Sequence, residues 1–216
     1  MKRQLAAILT VFVSGGSLAA DRTQPIPAPD QSLVLAADPK LTHPAYRQTI
    51  VLVTALGDDH HVGVIMNRPT QFSLSNIFPA DEPSRAVRGP VYFGGPMGLD
   101  TMLVITNGGE SPGGESVPLG ESLYLAFEKT VIDHVIRSKP NGARYFVGLV
   151  QWQPGELREE LRQGYWQIVR TSAQCVMQTE PTQLWKELTN NAGALRAATP
   201  IRFADHAAGP STRRVH

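Results

Sequence analysis

The stretch Gly109-Glu110-Ser111-Pro112-Gly113 has residue types and spacing that could support a reaction, because it matches the G-x-S-x-G pattern of α/β-hydrolases. In that pattern the residue after the serine donates its backbone N–H to the oxyanion of the reacting group. Pro112 has no backbone N–H to donate, and no apolar-periodic helix follows it. The pattern therefore does not predict a hydrolase nucleophile at Ser111.

A second group, Asp58, Asp59, His60 and His61, contains residue types that bind metal ions. Neighbouring residues of a strand point to opposite sides, and this group lies between two apolar runs, where a turn is expected. We therefore interpret it as a solvated turn. The His-Glu-x-x-His, Cys-x-x-Cys, Walker and dinucleotide fingerprints are missing from the sequence, so we predict no metal and no cofactor.

Glu156 and Glu160 lie one helical turn apart, which is the smallest arrangement that could supply a carboxylate pair for acid and base catalysis. Arg158 and Arg162 balance their charge, so a solvated outer helix face is the simpler interpretation. A hydrolase or transferase that uses Glu156 or the region around His60 stays open as an alternative.

The candidate binding surface lies where two apolar strands stop. Asn67 and Arg68 end one strand, Gly94 and Gly95 end another, and a proline follows each pair. Paired glycines let a backbone approach a ligand closely, although a tight strand-ending turn is the alternative interpretation of the same glycines. Residues 107–120 are rich in glycine and proline and should form a long surface loop able to close over this surface. We predict Asn67, Arg68, Gly94 and Gly95 as ligand-binding residues.

The elements that would position these residues are mostly short strands. Apolar runs that end at Gly, Pro, Asn or Asp predict strands at 33–37, 50–56, 62–66, 91–93, 102–106, 123–126, 143–152 and 165–169. Helical periodicity or breaker residues predict helices ending before Pro79 and near Lys139, Gly164 and Asn190. Strand and helix do not alternate regularly, so we predict a single α+β domain over residues 33–191, with a mostly antiparallel or mixed β-sheet and helices packed against it.

The N-terminus has the features of an export signal. Lys2 and Arg3 precede an apolar run from Leu5 to Val13, and small residues lead to a cleavage site near Ala20. The run is much shorter than the roughly 20 residues that cross a bilayer, so we predict a signal peptide at 1–20 and no membrane span in the mature chain. The expected location is the periplasm, with the cytoplasm as the alternative if the segment is not a signal.

Two polar segments flank the predicted domain. Residues 21–32 contain several prolines and few large apolar side chains, which is typical of an extended linker. Residues 192–216 turn to Ala, Gly and scattered charge, and we expect a loosely ordered tail there.

Charge and cysteine content exclude further classes. The chain carries 20 Lys and Arg against 19 Asp and Glu, a net charge of +1, without a basic stripe. A protein that binds nucleic acid by neutralising phosphates needs such a stripe. Cys175 is the only cysteine, so no intramolecular disulfide forms, and Val176 and Met177 beside it predict a buried position.

Three stretches together carry a family resemblance: Gly63-Val-Ile-Met-Asn-Arg-Pro69, Val91-Tyr-Phe-Gly-Gly-Pro96 and Gly148-Leu-Val-Gln-Trp-Gln-Pro-Gly-Glu-Leu157. In this order and at these separations they resemble the YqgE/AlgH family of small bacterial proteins, from about Leu33 to Asn190. Further matching positions are Trp152, Gly155, Leu157, Glu160 and Trp166. The resemblance implies a compact α+β domain without an established catalytic residue.

The chain departs from the family pattern at Leu149, at Glu156 and above all at the export signal, which family members usually lack. A link with transcriptional regulation of alginate synthesis attaches to the family name, but no helix-turn-helix or basic face is visible. We expect a non-enzymatic binding or regulatory protein exported to the periplasm, with an unknown protein or small ligand as partner and, if exported, no nucleic acid. A cytosolic transcriptional regulator is the alternative if the signal interpretation is wrong.

Overall fold

The computed structural model of the chain describes residues 32–120 and 122–198, with side chains described as far as Asn190. The predicted signal peptide at 1–20, the linker as far as Gln31 and the part of the predicted tail from 199 onward lie outside the described residues.

The described residues contain ten strands. Their bounds are β1 Leu33–Ala37, β2 Ile50–Gly57, β3 His60–Ile65, β4 Pro69–Ser73, β5 Pro90–Phe93, β6 Met97–Asn107, β7 Val117–Pro118, β8 Leu123–Ala126, β9 Ala143–Trp152 and β10 Trp166–Val169. β2 and β3 form the predicted hairpin, and both central residues of its turn, Asp58 and Asp59, have the positive φ that a type I′ turn requires.

Five helices and one 3₁₀ turn pack against these strands. The helices are α1 Leu74–Ile77, α2 Lys129–Ser138, α3 Glu156–Arg162, α4 Ala173–Gln178 and α5 Pro181–Ala198, and the 3₁₀ turn is Glu82–Ala86. α2 buries the predicted apolar face, including Val131 and Val135, and ends before Pro140. None of the helices in the described part of the chain is both long and apolar enough to pass through a bilayer.

β9 is the strand around which the sheet is organised. The strands follow the order β10, β1, β2, β3, β9, β6, β8, β7, with β5 pairing a further part of β9 and β4 pairing β5. The end of β9 pairs with β3 at residues 150–152, and its beginning pairs with β6 and β5 at residues 143–147. β5 runs parallel to β9, while the other pairs of described strands are antiparallel. The predicted α+β class with a mostly antiparallel sheet is therefore confirmed.

Three apolar clusters form the core, two of them on opposite faces of the sheet. All five residues of β1 are buried, so its side chains pack alternately into the core on the two faces of the sheet. Val34 and Ala36 join the first cluster, beneath α4 and α5, and Leu33 and Leu35 join the second, beneath α3. The third cluster lies between α2 and the β6–β8 region.

Several local expectations differ from the structure. α5 continues past Asn190 to Ala198, so the predicted helix end is too early. β4 and α4 were not expected, because β4 is a largely exposed edge strand that starts at Pro69 and α4 is shorter than two turns. Cys175 is exposed rather than buried, since α4 turns Ala173 and Val176 toward the core and Cys175 away from it.

Candidate functional site

An open cleft of about 440 Å³ lies at the beginning of β9. Its walls come from the start of β5, the end of β6, the turn before β9 and one side of α4. The polar and aromatic residues that line it are Tyr92, Asn107, Asn141, Arg144, Tyr145, Gln174 and Gln178. The volume lies within the range of pockets that hold small molecules.

Arg144 enters this cleft because of its position in β9. Side chains alternate along a strand, and Phe146, two residues after Arg144, is buried in the first cluster. Arg144 therefore continues an inward-facing row at the point where the core gives way to the cleft. It is half-buried there.

The guanidinium of Arg144 is anchored on one side. Nη2 donates to the carbonyl oxygens of Met177 at 2.6 Å and of Thr179 at 3.3 Å. These carbonyls lie at the end of α4, where helical carbonyls lack partners within the helix. Arg144 thus ties β9 to the end of α4.

The positive charge of Arg144 has no carboxylate within ion-pair distance among the described residues. Its guanidinium lies over the ring of Tyr92, with 5.4 Å to the ring centroid. Burial lowers the pKa of Arg144, while Tyr92 and Glu180 act in the opposite direction. An arginine in a protein still stays protonated at neutral pH, so the cleft contains a partly desolvated cation.

Two polar atoms of the cleft residues have no hydrogen-bond partner. Nη1 of Arg144 and Oε1 of Gln174 are both buried, and neither is paired with any described atom. A buried polar group without a partner costs about 1–3 kcal/mol, and such groups are rare in native proteins. The two atoms are therefore positions where a water molecule or a ligand would bind.

The neighbouring wall of the cleft is held in place by its own hydrogen bonds. The side-chain amide of Asn141 accepts from the N–H of Arg88 at 3.1 Å and donates to the carbonyl of Ala86 at 3.2 Å. Tyr145 is buried, and its hydroxyl donates to the carbonyl of Pro140 at 3.4 Å. Arg144 and Gln174 differ from these residues, because each has a buried polar atom without a partner among the described residues.

The sequence-predicted residues Asn67 and Arg68 lie elsewhere and bind backbone. Asn67 accepts from the N–H of Ile50 and donates to the carbonyl of Gln48, both at 2.9 Å. Nη2 of Arg68 donates to the carbonyl of Arg47 at 2.6 Å. Both residues therefore fasten the segment that leads into β2.

The segment that leads into β2 contains a residue with an unusual backbone conformation and borders a surface depression. Gln48 has a φ of 55°, which is uncommon for a residue other than glycine. A depression of about 250 Å³ beside it is lined by residues that include Arg47, Gln48 and Trp185. Burial, followed by the nearby charge of Arg47, lowers the pKa of Arg68.

Gly94 and Gly95 are buried between backbones. A Cβ on Gly94 would overlap the carbonyl oxygen of Gly148, and a Cβ on Gly95 would overlap the carbonyl group of Leu149. The N–H of Gly94 donates to the carbonyl of Val147, and its carbonyl accepts from the N–H of Ile65. The two glycines thus let β5 and β6 approach β9 closely.

The loop predicted to close over Asn67 and Arg68 makes its hydrogen bonds in another region. Gly108 and Leu119 bond to the backbone of Ser122 and Leu123, and the N–H of Glu115 donates to the carboxylate of Glu128. Asn107, where the predicted loop begins, lines the cleft of Arg144.

The acidic residues singled out in the sequence have separate structural partners. Asp59 accepts from the N–H of Gly155 at 2.8 Å and pairs with Arg158 at 3.3 Å. Oε2 of Glu160 accepts from the indole N–H groups of Trp152 at 2.8 Å and Trp166 at 2.7 Å. Glu160 therefore faces inward, and the prediction that it lies on the outer helix face is wrong.

Glu156 and Ser111, the remaining candidates from the sequence, make local hydrogen bonds. Glu156 accepts from the N–H of Gln153 at 2.8 Å, at the start of α3. The hydroxyl of Ser111 lies 2.6 Å from that of Ser116 within an exposed loop. Among the described residues, no group of three or more His, Cys, Asp or Glu side chains is arranged to hold a metal ion.

Sequence reasoning missed Arg144 and Gln174. The sequence did contain one signal for Arg144. It is a charged residue in β9, where every second residue after it is buried. Nothing in the sequence indicated Gln174, because its role depends on α4 packing beside β9 over a long separation in the chain.

A family model and two curated relatives identify the same family for this chain. A family model described as AlgH-like matches residues 34–196. A UPF0301 protein of Streptomyces avermitilis is 30% identical over 162 residues, which cover 72% of this chain and 82% of the relative. A second relative, from Streptomyces coelicolor, is 30% identical over 161 residues, with the same shares of both chains.

Two solved structures share the fold. The solution structure of the AlgH protein from Pseudomonas aeruginosa has a TM-score of 0.61 at 21% identity, covering 87% of this chain and 99% of that one. The crystal structure of protein DIP2367 from Corynebacterium diphtheriae has a TM-score of 0.62 at 20% identity, covering 80% and 93%. At this identity the likeness is one of architecture.

Proposed function

The chain belongs to the AlgH-like family, and from that premise we propose that it is a non-enzymatic protein that binds a small anionic ligand in the cleft at Arg144. The observation that carries the proposal is the half-buried guanidinium of Arg144. Among the described residues, no carboxylate lies within ion-pair distance of it, and its Nη1 has no hydrogen-bond partner. An anion should bind such a cation more tightly than a neutral ligand does, because a charge-assisted hydrogen bond is stronger than a neutral one.

The composition of the cleft supports binding rather than catalysis. Its described lining contains no His, Cys, Asp or Glu, which are the residue types that most often act as nucleophile or general base. The tyrosines that line it are Tyr92 and Tyr145, and burial raises the pKa of both. A tyrosine hydroxyl is already protonated at neutral pH at its ordinary pKa of about 10, so neither residue is available as a base.

Titration with small anions tests this proposal. Acetate, sulfate and inorganic phosphate are added to isotopically labelled protein, and amide chemical shifts are followed by NMR. We expect shifts concentrated at the residues of the cleft. Shifts spread over the surface, or their absence for all three anions, would refute the cleft as an anion site.

Two arginine variants provide the matched comparison. Arg144→Gln should weaken binding by about 10-fold or more, since it removes a hydrogen bond to a charged group. Arg162→Gln removes the same charge from the exposed face of α3, beyond the opposite end of β9, and should leave binding unchanged. Circular dichroism confirms folding, and Arg144→Lys, which keeps the charge, is used if Arg144→Gln does not fold.

We also propose that the protein acts in the periplasm. Support comes from Lys2 and Arg3 before the short apolar run and from the small residues that end at Ala20. N-terminal sequencing of the protein from fractionated cells should find a mature chain that begins at Ala20 or Asp21 in the periplasmic fraction. A chain that begins at Met1 in the cytosol would instead favour the cytosolic regulator that the family name suggests.

A further inference from the structure

We infer that the ligand of the cleft is a carboxylate with a neutral hydrogen-bond donor on the adjacent carbon, as in a 2-hydroxy acid. Arg144 recognises the carboxylate and Gln174 recognises the donor. This inference rests on the proposed function and specifies the chemistry of the group that binds.

The two unpartnered atoms are of opposite kinds. Nη1 of Arg144 can only donate, and Oε1 of Gln174 can only accept. A simple anion satisfies the first atom and leaves the second without a partner. A ligand that satisfies both must present an acceptor and a donor on the same side of the molecule.

Arg144 and Gln174 line the same cleft and are both connected to α4. Gln174 belongs to α4, and Arg144 donates to the carbonyl of Met177 in the same helix and to that of Thr179 just after it. The ring of Tyr92 packs against the guanidinium and limits its movement further. Both residues are thus tied to one short helix, which favours a compact ligand with neighbouring functional groups.

Both atoms are buried at the wall of the cleft, so binding requires a small side-chain adjustment. The terminal torsion of a glutamine is broad, and turning it brings Oε1 toward the cleft. Met177, which also lines the cleft, is a flexible side chain that readily repacks around a new neighbour.

The charge of the cleft selects the donor. An ammonium group beside the carboxylate would lie close to the guanidinium of Arg144 and be repelled by it. A hydroxyl offers its proton to Gln174 without that penalty. Apolar wall residues, Val87, Pro90 and Met177, suit a short alkyl tail on the same molecule.

A matched pair of acids tests the inference by isothermal titration calorimetry on the full chain. 2-Hydroxy-4-methylpentanoate and 4-methylpentanoate differ only in the hydroxyl. We expect the hydroxy acid to bind wild-type protein about 3- to 10-fold more tightly, which is the net effect of one hydrogen bond. In Gln174→Met, which has a similar shape and no strong acceptor, the two acids should bind equally.

Circular dichroism checks that Gln174→Met is folded. Equal affinity of wild-type protein for the two acids, or a hydroxyl preference that survives in Gln174→Met, would overturn the inference. If neither acid binds while acetate or phosphate still shifts the cleft residues, the ligand class is wrong and the proposed function stands. If no anion affects the cleft, the proposed function and this inference both fail.

Discussion

At the scale of single residues, Glu160 shows how a residue that resembles a catalytic acid can be structural. Its Oε2 accepts from the indoles of Trp152 and Trp166, both of which are nearly fully buried in the second cluster. The ring of Tyr46 also meets that of Trp166 edge-on, at 5.9 Å between centroids. One carboxylate thus joins α3 to the strands β9 and β10.

Replacing Glu160 should lower stability through these two indoles. Glu160→Ala leaves both indole N–H groups without an acceptor, so we expect the free energy of unfolding in urea to fall by about 2–4 kcal/mol. Glu160→Gln keeps an acceptor oxygen and should cost about half as much. Glu156→Ala, one turn earlier on an exposed position, is the control and should cost about 1 kcal/mol or less. Similar losses in the two alanine variants would contradict the structural role of Glu160.

We expect Tyr145 to make the stability of the protein sensitive to alkaline pH. Burial raises its pKa from 10.0 to about 12, so above pH 10 the unfolded chain releases a proton that the folded protein retains. The stabilisation that Tyr145 provides is complete below pH 10 and is lost as the pH rises toward 12, by on the order of 2 kcal/mol. Urea unfolding at pH 9, 10 and 11 measures this decline.

Tyr145→Phe is the test of that assignment. The variant should show a smaller decline between pH 9 and pH 11, while its stability differs little from wild type at pH 7, because the hydroxyl donates only a long hydrogen bond of 3.4 Å. Tyr46 and Tyr92, whose pKa values burial also raises, should contribute to the decline that remains. An identical pH dependence in the two proteins would mean that Tyr145 does not contribute.

At the scale of elements, the glycines of the β5–β6 connection determine how closely β9 can be approached. Gly94→Ala introduces a methyl group that overlaps the carbonyl oxygen of Gly148. Overpacking of this kind costs about 1–3 kcal/mol or more, so we expect a lower thermal midpoint. Gly89→Ala is the matched control, since a Cβ there has no atom within 4 Å. Equal midpoints for the two variants would show that the connection tolerates a wider spacing.

Much of the architecture was predictable from local patterns, and the cleft was not. Apolar runs ended by Gly, Pro or Asn placed β1 and β9 at their observed bounds, and the alternating burial of β9 follows from strand geometry. β4 was missed because exposed edge strands carry little apolar signal. The cleft depends on Arg144 and α4, which are brought together only by tertiary packing, and the predicted residues Asn67 and Arg68 were identified from a strand end that proves to bind backbone.

At the scale of the whole molecule, β9 connects all parts of the core. Phe146 belongs to the first cluster, Val150 and Trp152 to the second, and Tyr145 to the third. β1 and β10 are far apart in sequence, yet four residues of β1 pair with all four residues of β10, so the sheet forms only when distant segments meet. Such an arrangement gives no part of the core independent stability.

Equilibrium unfolding should therefore be a single cooperative transition. Fluorescence reports the first two clusters, because Trp152 and Trp166 lie in the second and Trp185 packs against the first, whereas hydrogen exchange in α2 reports the third. Ile136→Ala, which truncates a buried residue of the third cluster, should cost about 2–5 kcal/mol. Because β9 couples the clusters, the denaturant midpoint of Ile136→Ala should fall by the same amount whether it is followed by fluorescence or by hydrogen exchange. A fluorescence midpoint that stays at the wild-type value would show that the α2 side unfolds independently of the rest of the sheet.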